Sequence, residues 1–282
     1  MGLKSLTGAW IMAGVTFREA ARKKVLWMAL AAGAGFLALF ATGLHFQAKD
    51  IAHRVHSPVI RGQIMDNMLM VGLYAADLLT VLMTILTAAD TLSGEITSGT
   101  LHAVATKPIT RRAILLGKWL GFVVMLTAYV LLMLGGVALV AYLIGGAAAH
   151  HLLRGLCLVW LESILLLNLT LLCGTAFSTL ASGVIVLGLH GVAFLGGWIE
   201  QIGTVTSSPH AVDAGIIASI IMPSESLWRR AAFEMQSPLA GALNFSPFGS
   251  ASVPSPAMVV YAGLFLIIAL AIALHQFRVK DL

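Results

Sequence analysis

Three ionisable side chains stand inside long apolar runs: Asp77 in "GLYAADLLTVL", Glu162 in "LVWLESILLL" and His190 in "VIVLGLHGVAF". In a hydrocarbon setting each costs on the order of 2.5–3.5 kcal/mol, so all three are expected to face protein or water rather than lipid. Two arrangements fit: a polar lining to a central cavity, or a buried hydrogen-bonded cluster fixing helix packing, with Asp77 or Glu162 paired to His190. Catalysis by Glu162 and His190 lacks a helix-spaced motif such as H-E-x-x-H, which weighs against an intramembrane enzyme. A second set, His45, His53 and His56 followed by Met65, Met68 and Met70, raises metal binding. His53 and His56 are three apart and would share a helix face, and thioethers suit soft ions. The segment has no cysteine, Met68 and Met70 fall where an apolar run begins, and a solvated face is the favoured reading. A third candidate, Gly117-Lys118, is no phosphate-binding loop: Arg112 occupies the first-glycine position and Trp119 the magnesium-binding hydroxyl position.

The elements that hold these residues follow from composition. The chain has 282 residues, 59% hydrophobic and 10% charged, with a mean hydropathy of +0.94. It is an integral membrane protein of the all-α class. Runs of roughly twenty apolar residues cross a hydrocarbon core of about 30 Å. Six are found: Val25–Phe46, Met68–Ala89, Leu116–Leu143, Leu156–Phe177, Ala181–Ile199 and Ala257–His275. Cys157 and Cys173 lie in one run, about 24 Å apart as helix, too far for a disulfide. The first run is long enough to stay in the bilayer, so no cleaved leader is expected.

An even number of spans puts both termini on one side. With that side cytoplasmic, the inner basic residues are Lys4, Arg18, Arg22, Lys23, Lys24, Lys107, Arg111, Arg112, Lys118, Arg278 and Lys280. The outer ones are Lys49, Arg54, Arg61, Arg154, Arg229 and Arg230, a smaller set, as the positive-inside rule requires. The charge of +5 therefore reports topology in an inner, cytoplasmic membrane, and nucleic-acid binding is not implied. Within residues 1–24, Trp10, Ala13, Phe17 and Ala21 fall at helical spacing, which predicts an interfacial lead helix. The "AAGAG" face at 31–35 predicts a close helix contact.

Between the second and third spans, residues 90–115 form a cytoplasmic segment. Gly94 and Gly99 are expected to break helix on either side of Glu95. Thr100 is placed to cap a short helix through Leu101, Val104 and Ala105. Pro108 disfavours helix at Lys107, and Thr110 is placed to cap the third span. A short helix gripped by two span ends passes a push to both spans as a rigid tilt.

The run Glu95, Gly99, Thr100, Leu101, then Lys107, Pro108, Ile109, Thr110, Arg111, then Leu116, Gly117, Lys118 resembles the cytoplasmic signature of type-2 ABC (ABC-2) permeases, especially multi-copper enzyme maturation permeases. The resemblance implies a single transmembrane permease domain over 1–282, with a coupling helix at 91–106 docking on a separate ABC ATPase subunit. Docking then involves Glu95, Gly99, Thr100, Leu101, Pro108 and Arg111. It implies that ATP and Mg are bound by the partner and that this chain binds no cofactor. Six spans are half a pathway, implying a homodimer or a heterodimer with a similar permease. Transport, with export favoured, is the leading reading. A non-transporting subunit relaying force to an outer partner is the alternative. Copper, lipid, peptide and drug substrates all remain compatible.

Residues 200–256 are expected as an outer loop with two short helices lying in or dipping into the interface. Ala214–Met222 is too short to span, and Ser224 is placed to cap a helix with Leu227, Trp228 and Ala231 on one face and Arg229 and Arg230 on another. The resemblance suggests an outer gate there.

Overall fold

The computed structural model describes residues 14, 24–97, 111–237 and 252–279. Among them are eight helices of useful length and no strand: α1 (Lys24–Arg54), α2 (Pro58–Thr97), α3 (Arg111–Gly145), α4 (Leu152–Ala176), α5 (Thr179–Val205), α6 (Pro209–Ile221), α7 (Ser224–Met235) and α8 (Pro256–Val279). Six of these, all but α6 and α7, are long and apolar enough to cross a membrane. The lead-helix residues Trp10, Phe17 and Ala21, and docking residues Gly99, Thr100, Leu101 and Pro108, lie outside the described residues, as does Thr110.

The helices outrun the apolar stretches that announce them. α1 has 31 residues and α2 has 40, separated only by residues 55–57, so the expected first outer loop is mostly helix. Arg61 closes that turn by donating from Nε to the Val55 carbonyl and from Nη2 to the Ala52 carbonyl at 3.1 Å, serving acceptors that the end of α1 leaves unpaired. Gly94 does not end α2, which continues to Thr97. A mid-helix glycine costs only about 1 kcal/mol, less than breaking a long hydrogen-bonded rod. Lys118, one of the basic residues assigned to the inner side, is buried on α3.

α4 is the central post. It packs against α2, α3, α5, α7 and α8, and every residue from Glu162 to Leu171 is buried. Asn168 at its middle accepts from Trp119 Nε1 at 2.6 Å and donates to the Leu266 carbonyl at 3.0 Å, tying α3 and α8 to α4. α1 closes on α3 through Gly33, where a Cβ would stand 2.7 Å from Met133 Sδ, so the small-residue face at 31–35 makes the close contact its composition implies. Large apolar side chains such as Leu39, Leu143, Leu180, Leu195 and Ile267 point outward, as a lipid-facing surface requires.

The segment after α5 holds two short helices, as the sequence suggests, and its packing adds what the pattern does not give. α6 folds back antiparallel along α5 where small residues allow close approach, Gly203 on Ala211, Gly215 on Glu200 and Gly196 on Ala218, while Ile216, Ile217, Ile220 and Ile221 face outward. Seated this way, α6 descends along α5 and α7 returns, its end strapped to the α3–α4 loop by the His150 and His151 amides, which donate to the Met235 and Glu234 carbonyls at 3.1 Å. The turn between them, Met222–Pro223, is level with His190, fifteen residues or about 22 Å along α5 from Val205. Such a re-entrant hairpin is tolerated at that depth because protein surrounds its tip. Thirteen residues are too few to register as a span, which is why the pattern suggests a loop.

A Cβ at Gly215 would meet the Glu200 side chain and come within 2.6 Å of the Gly196 carbonyl oxygen, so Gly215→Leu must push two backbones apart. We expect it to cost about 1–3 kcal/mol or more in thermal unfolding, while Gly188→Leu, on an open face of the same α5, changes little.

Candidate functional site

The tip of the hairpin meets the buried ionisable residues of the spans. α7 begins directly after Pro223 without a side-chain cap, so Ser224 is its first residue rather than its cap. Ser224 Oγ lies 3.0 Å from His190 Nδ1 in a buried hydrogen bond. The sequence offers Asp77 or Glu162 as partner for His190; in the structure a hydroxyl from the hairpin tip is its hydrogen-bond partner. Ser224, Glu225 and Ser226 are all buried. Glu225 sits in the first turn of α7, where the amide dipoles favour negative charge, and its Cγ would stand 2.7 Å from a Cβ at Gly197. Glycine is what lets the carboxyl in.

Asp77 from α2, Glu162 from α4 and Glu225 from α7 interact electrostatically with one another. All three are nine-tenths buried or more, and both carboxyl oxygens of Glu162, Oε1 of Glu225 and Oδ1 of Asp77 have no hydrogen-bond partner. Tyr74 walls the cluster from α2: its hydroxyl accepts from Trp198 Nε1 at 3.2 Å, and its ring packs edge-on to Trp228 with centroids 5.1 Å apart.

One turn beyond Glu225, Arg229 locks the hairpin. Its Nη2 donates to Glu200 Oε2 at 2.8 Å and to Ser219 Oγ at 3.3 Å, joining α7, α5 and α6, and both charged side chains are buried. Arg229, counted among the outer charges in the sequence, is thus a buried, paired group rather than a solvated one. Glu200 also accepts from Ser252 Oγ at 2.5 Å.

The structure thus brings Asp77, Glu162 and His190 to one buried region and adds Tyr74, Ser224 and Glu225, which pattern reading missed. The signal for the additions was "PSESLWRR" placed directly after the apolar Ala214–Met222. His45, His53 and His56 do not form a metal set: among the described residues, no three His, Cys, Asp or Glu side chains are gathered to hold an ion. His56 lies in the turn after α1, off the helix that carries His53, and Met65 and Met70 are core residues. Of the docking residues, Glu95 lies in the last turns of α2 and Arg111 opens α3.

The profile of the family described as ABC-2 family transporter protein matches residues 10–282. The chain belongs to this family. A search of curated proteins returned no match. An ABC-2 protein of this kind is the multi-pass permease subunit of an ABC transporter and not its catalytic subunit, and membership implies an ABC ATPase as partner in general. The intramembrane-enzyme reading of Glu162 and His190 loses its ground with that membership.

Proposed function

We propose that this ABC-2 permease is the pathway-forming half of an ATP-driven exporter in the cytoplasmic membrane, with both termini cytoplasmic, working as a dimer with itself or a similar chain. A separate ATPase, binding ATP and Mg, docks on residues 91–106 through Glu95, Gly99, Thr100 and Leu101, with Pro108 and Arg111 shaping the return into α3. The signature at 95–118 supports placement near the multi-copper enzyme maturation permeases.

The observation that carries the reading is the continuity of α2. One unbroken helix holds both Glu95 near its inner end and Asp77 beside the hairpin tip, eighteen residues or about 27 Å apart. A push at one end is felt at the other without a hinge to absorb it, and α3 provides a second rod on the far side of the segment. Asp77 and Glu162, nine-tenths buried, favour transport over simple force relay, which has no use for costly ionisable groups at that depth.

Ser93→Pro tests the rod. A helix-interior proline removes a backbone hydrogen bond and kinks the helix at a cost of about 3 kcal/mol or more. We expect the permease to copurify with its ATPase as before but to lose permease-dependent stimulation of ATP hydrolysis; full stimulation would contradict rigid transmission through α2.

A further inference from the structure

A groove of about 360 Å³ lies between α1, α2 and α3, within the range of about 300–1,000 Å³ usual for small-molecule sites. Met28, Ala29 and Ala32 of α1 face Leu82 and Leu86 of α2 across it, with Tyr129 of α3 in the wall. Met28 and Leu86 are exposed, so the groove opens to the lipid side, and directly beyond it Gly33 lets α1 close on Met133. The lining holds one polar side chain, and that Tyr129 hydroxyl donates to the Ala29 carbonyl at 3.3 Å. Such a wall desolvates a polar ligand without repaying it and suits hydrocarbon.

Charge decides which hydrocarbon. Lys24, the first residue of α1, stands four residues before Met28 on the same face of the helix, about 6 Å nearer its inner end. Arg18, Arg22 and Lys23 precede it, outnumbering Glu19 on that segment and Asp90 at the inner end of the second apolar stretch. An acyl chain in the groove therefore has basic residues where its headgroup must sit, and basic residues at that level attract anionic lipid. A smaller groove of about 200 Å³ on the other side of Leu82 and Leu86, between α2 and α5, gives the contrast. Its α5 wall lies in a stretch, residues 155 to 228, without a Lys or Arg.

We propose that the groove between α1, α2 and α3 is a binding site for an anionic phospholipid of the cytoplasmic leaflet, one acyl chain lying against Ala32 and Leu82 and the phosphate at Lys23 and Lys24. The leaflet rests on the sidedness of the permease reading, but binding requires neither that sidedness nor the ATPase, so the two fail separately.

The test is native mass spectrometry of the full chain, released from detergent micelles after titration with dioleoyl phosphatidylglycerol or dioleoyl phosphatidylcholine. We expect the first phosphatidylglycerol to bind at least about tenfold tighter than phosphatidylcholine. Lys23→Gln with Lys24→Gln should erase that preference. Ala32→Trp, which fills the groove from an exposed position, should weaken phosphatidylglycerol at least about tenfold, while Ala34→Trp, exposed on α1 but outside the groove, leaves it unchanged. Equal affinity for the two lipids, a preference surviving the double glutamine change, or equal loss in Ala32→Trp and Ala34→Trp would each overturn the proposal. Undiminished binding by Ala32→Trp would also overturn it, and a fall in dimer fraction in that variant would then give the groove to a second copy of the chain.

Discussion

Replacing residues 98–106 with glycine and serine of equal length abolishes copurification of the permease with its ATPase. The exchange keeps the connection between α2 and α3 but removes Thr100, the expected cap of the docking helix, and Leu101, its expected apolar contact. A docking helix concentrates its binding in a few side chains, each worth about 2–4 kcal/mol when truncated, so affinity should fall at least about 100-fold. Stimulated hydrolysis should fall with it, while the isolated permease keeps its thermal midpoint because the buried core around α4 is built from residues outside the exchanged stretch. Copurification at unchanged strength would remove the docking assignment for Thr100 and Leu101.

Arg229→Met carries the largest expected loss of stability. It removes the ion-pair partner that Glu200 has among the described residues and leaves a carboxylate, 7% exposed, facing the hairpin. Stripping one member from a buried pair costs about 3–5 kcal/mol, because the remaining charge keeps its desolvation penalty. For a chain of this size that is a fall in thermal midpoint of roughly 6–20 °C. The double variant Arg229→Met, Glu200→Gln should recover most of the loss, since the stranded charge is then gone. A midpoint unmoved by Arg229→Met would mean that this pair does not hold the hairpin against α5.

The six spans are legible in the sequence because each carries enough apolar residues to meet the hydrocarbon thickness, and the small-residue contact at Gly33 follows from composition in the same way. Helix ends are not, since hydropathy measures where lipid stops and not where backbone hydrogen bonding does. α2 runs from Pro58 to Thr97 through Gly94 for that reason. The hairpin is hidden for two reasons. Its helices are too short for a span, and Glu225 and Arg229 look like surface polarity until their partners are known. Glu200 and Arg229 are 29 residues apart, with Glu200 one position beyond the apolar stretch that marks the fifth span, so nothing local joins them. Asp77, Glu162 and His190 are legible as protein-facing groups from solvation cost alone, and all three are buried. What they touch is not, because the hairpin that supplies Ser224 and Glu225 returns from a distant part of the chain.

Sidedness decides the whole account, because transmission along α2 requires its Thr97 end to meet a cytoplasmic motor. The direct measurement is labelling of Ser93→Cys by a membrane-impermeant maleimide, in a chain whose Cys157 and Cys173 are replaced by serine and alanine. The account predicts modification in inverted membrane vesicles and none in intact cells. Modification from outside intact cells would place this end of α2 on the wrong face and contradict it.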